Sequence, residues 1–161
     1  MVEITYRTPI ERALVAILQN TPTWNDDYKL LGDEAIWQAA QKNQVISLVA
    51  HTLQSHFAPH EVPERWRRFH EELSNRISAY LTELDHIAGQ LANENIPLVT
   101  LKNGGIARGI YPCPGCCPMG DLDVLVEKRH FRQAHEILLA EGYHFEFRSP
   151  LEEAELAAAE E

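Results

Sequence analysis

Between residues 63 and 91 the chain carries an unbroken stripe of large apolar residues, Trp66, Phe69, Leu73, Ile77, Tyr80, Leu84, Ile87 and Leu91, each three or four positions after the last. That spacing lines them along one side of an α-helix of about eight turns. Pro63 can open it, because the first turn of a helix has no use for the N–H that proline lacks. A helix of this length dominates the architecture, since its neighbours must cover its apolar side. The interleaved Arg67, Arg68, Glu71 and Glu72 read as its solvated face.

The segment before this helix carries helices joined by connectors. Thr8-Pro9-Ile10-Glu11 has the form of a capping box with proline in the first turn, and Ile10, Ala13, Leu14, Ile17 and Leu18 follow at helical spacing. Residues 20–32, with Pro22, Asp26, Asp27 and Gly32, read as a connector holding at most a turn of helix. Asp33 is placed to cap a helix that buries Ile36, Trp37 and Ala40. Another helix begins near Val45, turns Leu48, Val49 and Leu53 inward and stops before Pro59. His51, His56, His60 and His70 do not pair on one helix in the manner of zinc-binding helices, since the helix carrying His51 and His56 stops before Pro59, and they read as ordinary surface or half-buried histidines.

After the long helix the periodicity changes. Residues 93–95 break the helical pattern, and residues 96–101 form a short apolar run that reads as a buried strand. Residues 103–109 suit a short helix ending at Gly109, which can take a positive φ. Residues 111–120 hold three prolines and two glycines and cannot be regular. Residues 121–126 read as a second strand with Leu122, Val124 and Val126 on one face, and residues 130–141 return to helical spacing until Gly142. Residues 143–148 alternate aromatic and polar side chains, which argues a third strand. The expected fold class is therefore α+β, with a helical N-terminal region over residues 1–95. A small mixed β-sheet flanked by helices occupies 96–150, and an acidic Ala/Glu-rich tail 151–161.

Charge narrows the function classes. Fourteen Lys and Arg stand against 24 Asp and Glu, a formal net charge of -10, which disfavours extended nucleic-acid binding and anionic membranes. The longest apolar run, six residues from Ala13, is too short to span a bilayer, and the first residues lack the basic and apolar regions of a signal peptide. The chain reads as cytoplasmic, without a membrane partner. Its three cysteines, Cys113, Cys116 and Cys117, share the proline-rich loop. Cys113-x-x-Cys116 is half of a zinc pattern with no second half and no nearby histidine pair, so the expectation is free thiols.

The chemistry concentrates in residues 101–126, LKNGGIARGIYPCPGCCPMGDLDVLV. In a strand, residues two apart share a face, so Asp121 and Asp123 would present both carboxylates to one side. Two hard oxygen donors suit magnesium, which fills its remaining positions with water and substrate phosphates. Gly104 and Gly105 at a helix start would expose backbone amides to phosphate oxygens, and Lys102 would add a positive charge. Together these groups fit metal-assisted nucleotidyl transfer.

At these residues the chain resembles the nucleotidyltransferase superfamily of the DNA-polymerase-β type, in particular its uncharacterised bacterial nucleotidyltransferase-like branch. The matching text is Asn95-Ile96-Pro97 with the following residues to Lys102, Ile110-Tyr111-Pro112, the run from Pro118 to Val126 containing Gly120-Asp121-Leu122-Asp123, and Glu141-Gly142-Tyr143. The helical region around Trp37 and residues 45–53 is similar to that branch as well. The resemblance implies Asp121 and Asp123 as ligands of one or two catalytic magnesium ions, with Lys102, Gly104 and Gly105 near the triphosphate of a nucleoside triphosphate. It leaves the hydroxyl acceptor open. Three positions depart from the pattern: Asn103 stands where members usually read glycine, Cys117 where arginine is common, and no third carboxylate is evident; Glu146 is a candidate substitute, but it reads first as a solvent-facing residue of an alternating strand. Two readings follow, a magnesium-dependent nucleotidyltransferase and an inactive or truncated nucleotide-binding or protein-interaction domain.

Overall fold

The computed structural model describes residues 8–22, 24–144 and 157–158. In chain order these form α1 (Pro9–Leu18), α2 (Trp24–Leu31), α3 (Asp33–Lys42), α4 (Ile46–His56), α5 (Glu64–Asn93), β1 (Leu98–Thr100), α6 (Lys102–Ile106), β2 (Val124–Val126) and α7 (Phe131–Ala140), with 3₁₀ turns at Pro114–Cys116 and Lys128–His130. The fold is α+β. Two compact units divide it, one from residues 1–77 with Tyr111–Pro118, the other from Ser78–Ile110 with residues 119–161. α5 gives its first half to one unit and its second half to the other.

In the first unit α1 to α4 and the start of α5 enclose Leu14, Ile17, Ile36, Val49, Leu53 and Trp66. The capping box of α1 is formed: Thr8 Oγ1 accepts from the Glu11 amide, and Glu11 accepts from the Thr8 amide. The connector reading of residues 20–32 is corrected, because Trp24–Leu31 is a helix. Its first turn holds Asp26 and Asp27, which favour the positive end of a helix as much as they favour a turn. Asp33 is corrected too. Gly32 occupies the cap position of α3, while the Asp33 carboxylate accepts from Tyr28 Oη, Trp66 Nε1 and Arg65.

α5 matches the expected stripe closely, with Trp66, Leu73, Ile77, Leu84, Ile87 and Leu91 buried. Leu81 takes the buried place expected of Tyr80, and Phe69 is exposed. Arg67, Arg68, Glu71 and Glu72 face solvent as expected.

Four helices end in the same way. Asn20, Gln44, Asn95 and Gly142 take positive φ after α1, α3, α5 and α7. In each case the next amide reaches back to a carbonyl five residues earlier: Thr21 to Ala16, Val45 to Ala40, Ile96 to Leu91 and Tyr143 to Leu138. This is the Schellman closure, which satisfies helix carbonyls that would otherwise lack partners. At the end of α5 it also folds Ile96 back onto Leu91, and both are buried in the second unit's core.

That core joins Ile87 and Leu91 of α5, Ile96, and Ala134 of α7, with Leu98 and Val126 against it. β1 and β2 pair antiparallel, Leu98 opposite Val126, Val99 opposite Leu125 and Thr100 opposite Val124. Leu98 and Val126 therefore face the helices, while Val99 and Leu125 on the other face are exposed. Both strands are shorter than expected, and β2 starts at Val124, after the two aspartates. The short helix spans Lys102–Ile106, and Gly109 beyond it has no positive φ. Of the expected third strand, residues 145–148 lie outside the described residues, so only the two-stranded antiparallel part of the expected mixed sheet is described. Glu146 lies outside them as well, as does the tail apart from residues 157–158. Among the described residues no helix is long and apolar enough to cross a membrane.

Candidate active site

The antiparallel ladder ends in one more rung beyond the strands, where the Leu101 amide donates to the Asp123 carbonyl at 2.9 Å. This bond fixes the Asp123 end of the acidic segment against the end of β1. From the next residue the Lys102 ammonium reaches the Asp123 carboxylate, Nζ to Oδ2 at 2.9 Å. The bond to Asp123, then its charge and that of Asp121, raise the Lys102 pKa above the ordinary lysine value. Asp123 is half-buried and Asp121 exposed.

The two acids were expected on one face of a strand. Instead they precede the strand, Asp121 in a bend and Asp123 at the last rung. What relates them is the shared field at Lys102 rather than the pleat. The Asp121 end of the segment is steadied by Tyr80 on α5, whose hydroxyl donates to the Gly120 carbonyl at 3.1 Å.

Gly104 and Gly105 are expected at the start of a short helix, and they are the third and fourth residues of α6. Gly105 is there for space: a Cβ on it would stand 3.0 Å from the Thr100 carbonyl oxygen and 3.4 Å from Thr100 Oγ1. A Cβ on Gly104 would meet Leu122 Cδ2 at an ordinary 3.5 Å. Gly105 thus lets α6 close onto the end of β1, beside the Lys102–Asp123 pair. Beyond α6, Arg108 grips Asp85 of α5 with both guanidinium nitrogens, at 2.9 and 2.7 Å, and donates to the Leu81 carbonyl at 3.2 Å. The segment after α6 is thereby held to α5.

Lys102 is the first residue of α6 and has φ +48°. Among the described residues, the other non-glycine residues with positive φ each close a helix. Lys102 closes none. A left-handed conformation costs an L-residue about 1–2 kcal/mol, and such outliers cluster at functional sites.

A family model described as uncharacterised nucleotidyltransferase matches residues 31–158, a span that contains every group just described. The chain belongs to that family. No curated protein and no solved structure matches it. In this nucleotidyltransferase-family chain the structure pairs Lys102 with Asp123, leaves Asp121 exposed two residues earlier, and seats Gly105 against Thr100 as a packing residue. Among the described residues no third carboxylate, histidine or cysteine closes on the two aspartates.

Sequence reasoning missed one group. The cysteine loop does have a histidine pair beside it, from α4 and α5: ligand atoms of His51, His70, Cys113 and Cys116 all lie within 4.8 Å of one another. Burial, then the neighbouring His51, holds the His70 imidazole below its ordinary value. Burial, then the Cys113 thiol, pushes the Cys116 thiol well up. No local spacing could have revealed this, since the two histidines stand 19 residues apart in sequence on different helices.

Proposed function

We propose that the protein is a magnesium-dependent nucleotidyltransferase, moving a nucleoside monophosphate from a nucleoside triphosphate to a hydroxyl acceptor at the end of the β1–β2 ladder. Family membership together with the Lys102–Asp123 contact carries this reading. The donor set fits the ion: Asp121 and Asp123 offer hard oxygens, and Asp123 already holds a cationic group, the Lys102 ammonium, at 2.9 Å. Asp121 and Asp123 would be the protein's ligands. When bound, magnesium supplies positive charge to the transferring phosphoryl group and the departing pyrophosphate.

The chain's own residues do the rest. Lys102 is 72% exposed, so its pair with Asp123 is screened by solvent and readily exchanged. Released from the carboxylate, the ammonium stays beside the site, because the left-handed turn and the close α6–β1 packing hold its backbone there. It can then meet a triphosphate oxygen as a point charge. The ladder rung at Asp123 and the Tyr80 bond at Gly120 fix the acidic segment before any ligand arrives, so little ordering is left to the binding step. In the reaction an acceptor hydroxyl oxygen forms a bond to the α-phosphorus and its proton passes to water, as the bond from that phosphorus to the pyrophosphate oxygen breaks.

The test is pyrophosphate release from each of the four nucleoside triphosphates with magnesium and a panel of hydroxyl acceptors. Release that vanishes in Asp121→Asn and Asp123→Asn supports the proposal. Magnesium-dependent triphosphate binding without release would instead support a binding domain, a reading favoured by the lack of a third carboxylate among the described residues.

A further inference from the structure

The proposed chemistry uses nothing of the loop Tyr111–Pro118, although that loop holds all three cysteines and three of the nine prolines. Within the first unit it carries two thiols to two imidazoles. His70 Nε2 lies 3.2 Å from Cys113 Sγ and 4.0 Å from Cys116 Sγ, and the two sulfurs are 3.0 Å apart. The His51 and His70 rings have centroids 5.9 Å apart. We propose that His51, His70, Cys113 and Cys116 bind one zinc ion as a closed structural site that staples the Tyr111–Pro118 loop to α4 and α5.

Three observations carry this. The first is ligand geometry. With Zn–S near 2.3 Å and Zn–N near 2.0–2.1 Å, a tetrahedral site has ligand-to-ligand edges of about 3.3–3.8 Å. The observed separations of 3.0, 3.2 and 4.0 Å bracket that range, and the sulfurs are too far apart for a disulfide, in which they would be about 2.05 Å apart. The second is the loop's local structure. Pro114–Cys116 is a 3₁₀ turn in which the Cys116 amide donates to the Cys113 carbonyl at 3.0 Å, and residues three apart eclipse in that turn. Both thiols therefore point to the same side.

The third is that the loop is seated by its backbone. A Cβ on Gly115 would collide with the Ser74 side chain and stand 3.1 Å from the His70 carbonyl, so only glycine brings the chain close enough to α5. On the other side the buried Ser47 hydroxyl of α4 donates to the Gly115 carbonyl. One residue thus touches both helices that carry the histidines, and the thiols on either side of it are delivered to them.

The donor set decides the metal. Two soft sulfurs and two imidazoles in a four-ligand cluster suit zinc rather than magnesium or calcium, and four protein ligands leave no open position for substrate. On binding, the two thiols lose their protons and the imidazoles coordinate as neutral bases. Cys117 is buried but belongs to no such cluster among the described residues.

The full chain, produced in zinc-supplemented medium and freed of any purification tag, is analysed for metal content. The expected content is about one zinc per chain, falling below about 0.2 in Cys116→Ser and in His51→Ala and unchanged in Cys117→Ser. Because ligand variants can fail to fold, wild-type protein stripped of metal is also titrated with Co²⁺. Tetrahedral cobalt absorption with a thiolate-to-cobalt charge-transfer band, displaced by zinc, supports the site. A metal-free wild type giving no such bands would overturn it. So would zinc retained by a Cys113→Ser, Cys116→Ser double variant, or a Cys113–Cys116 disulfide in protein purified without oxidant.

Discussion

Removing the Asp33 carboxylate should destabilise the first unit by about 2–4 kcal/mol, and the structure says where the loss arises. Oδ1 accepts from Tyr28 Oη and from Trp66 Nε1, each at 2.5 Å, and Oδ2 accepts from Arg65, so one side chain ties α2, α3 and α5 together. In Asp33→Ala the indole N–H of Trp66, a residue with 0% exposure, is left without its partner, which costs about 1–3 kcal/mol. The half-buried Tyr28 hydroxyl adds about 1 kcal/mol. Arg65 adds little, because its side chain is a third exposed and it keeps Glu34 at 2.6 Å. Asp33→Asn retains Oδ1 for both donors but puts an NH2 group where Oδ2 accepts from Arg65, losing that bond and the charge assistance, so its cost is about 1–2 kcal/mol.

The carboxyl's pKa sets the pH dependence. Burial pushes it up, but the bonds from Tyr28, Trp66 and Arg65, with the Arg65 charge, outweigh burial and leave it below the ordinary value. A carboxyl lowered in the folded state stabilises fully above its unfolded pKa of about 4, and the contribution fades as pH falls through the folded value. The gap between wild type and Asp33→Asn should therefore shrink below about pH 4. Trp24, Trp37 and Trp66, all the tryptophans of the chain, belong to the first unit, so urea titration followed by their fluorescence reads that unit directly. The reasoning is refuted if Asp33→Ala lies within about 0.5 kcal/mol of wild type, or if asparagine is as damaging as alanine.

In the second unit Gly105→Ala should cost about 1–3 kcal/mol, read by far-UV circular dichroism, because its methyl would crowd the Thr100 carbonyl oxygen at 3.0 Å. Gly104→Ala should be neutral or stabilise by up to about 1 kcal/mol, as its methyl meets only Leu122 at 3.5 Å inside a helix; the opposite order would show that the glycines are not there for packing. His86 Nε2 lies 2.7 Å from Glu141 Oε2, and that bond, with the Glu141 charge, holds the imidazole's pKa above its ordinary value despite some desolvation. An NMR titration should place its midpoint above about 6.5 and bring it back down in Glu141→Gln. The pair's stabilisation is complete below the unfolded pKa and is lost as pH rises through the folded one.

The parts of this fold that the sequence made legible are those whose cause lies within a few residues. The Thr8–Glu11 box, the stripe along α5 and the stop at Gly142 each depend on neighbours three or four positions away, and each is present. Helix ends at Asn20 and Gln44 are harder to read, because asparagine tolerates the left-handed region without advertising it as glycine does and glutamine gives no such signal. α2 was mistaken for a connector because its acids are equally at home in a turn and at a helix start. Asp33 was read as a cap because capping is the local role of aspartate, whereas its partner Trp66 lies 33 residues away. The strand boundary at Asp121 failed for a related reason: the ladder's extent depends on what β1 offers opposite, and the Leu101 amide makes its last rung at Asp123.

The candidate site divides along the same line. Asp121, Asp123 and Lys102 were legible as chemistry because hard oxygen donors and an ammonium are chosen for charge, and charge is written in residue identity. Their arrangement was not, since the Lys102–Asp123 contact follows from the antiparallel register that also sets Leu98 opposite Val126. Carrying that register past the strands puts Leu101 opposite Asp123, so the lysine one residue on can reach the carboxylate only if the chain turns sharply there. The φ of +48° at Lys102 is that turn. Glycine would adopt it without strain, and Asn103, which tolerates it, stands next in the chain. A lysine there, unlike glycine, places an ammonium on the Asp123 carboxylate, the contact on which the proposed function rests.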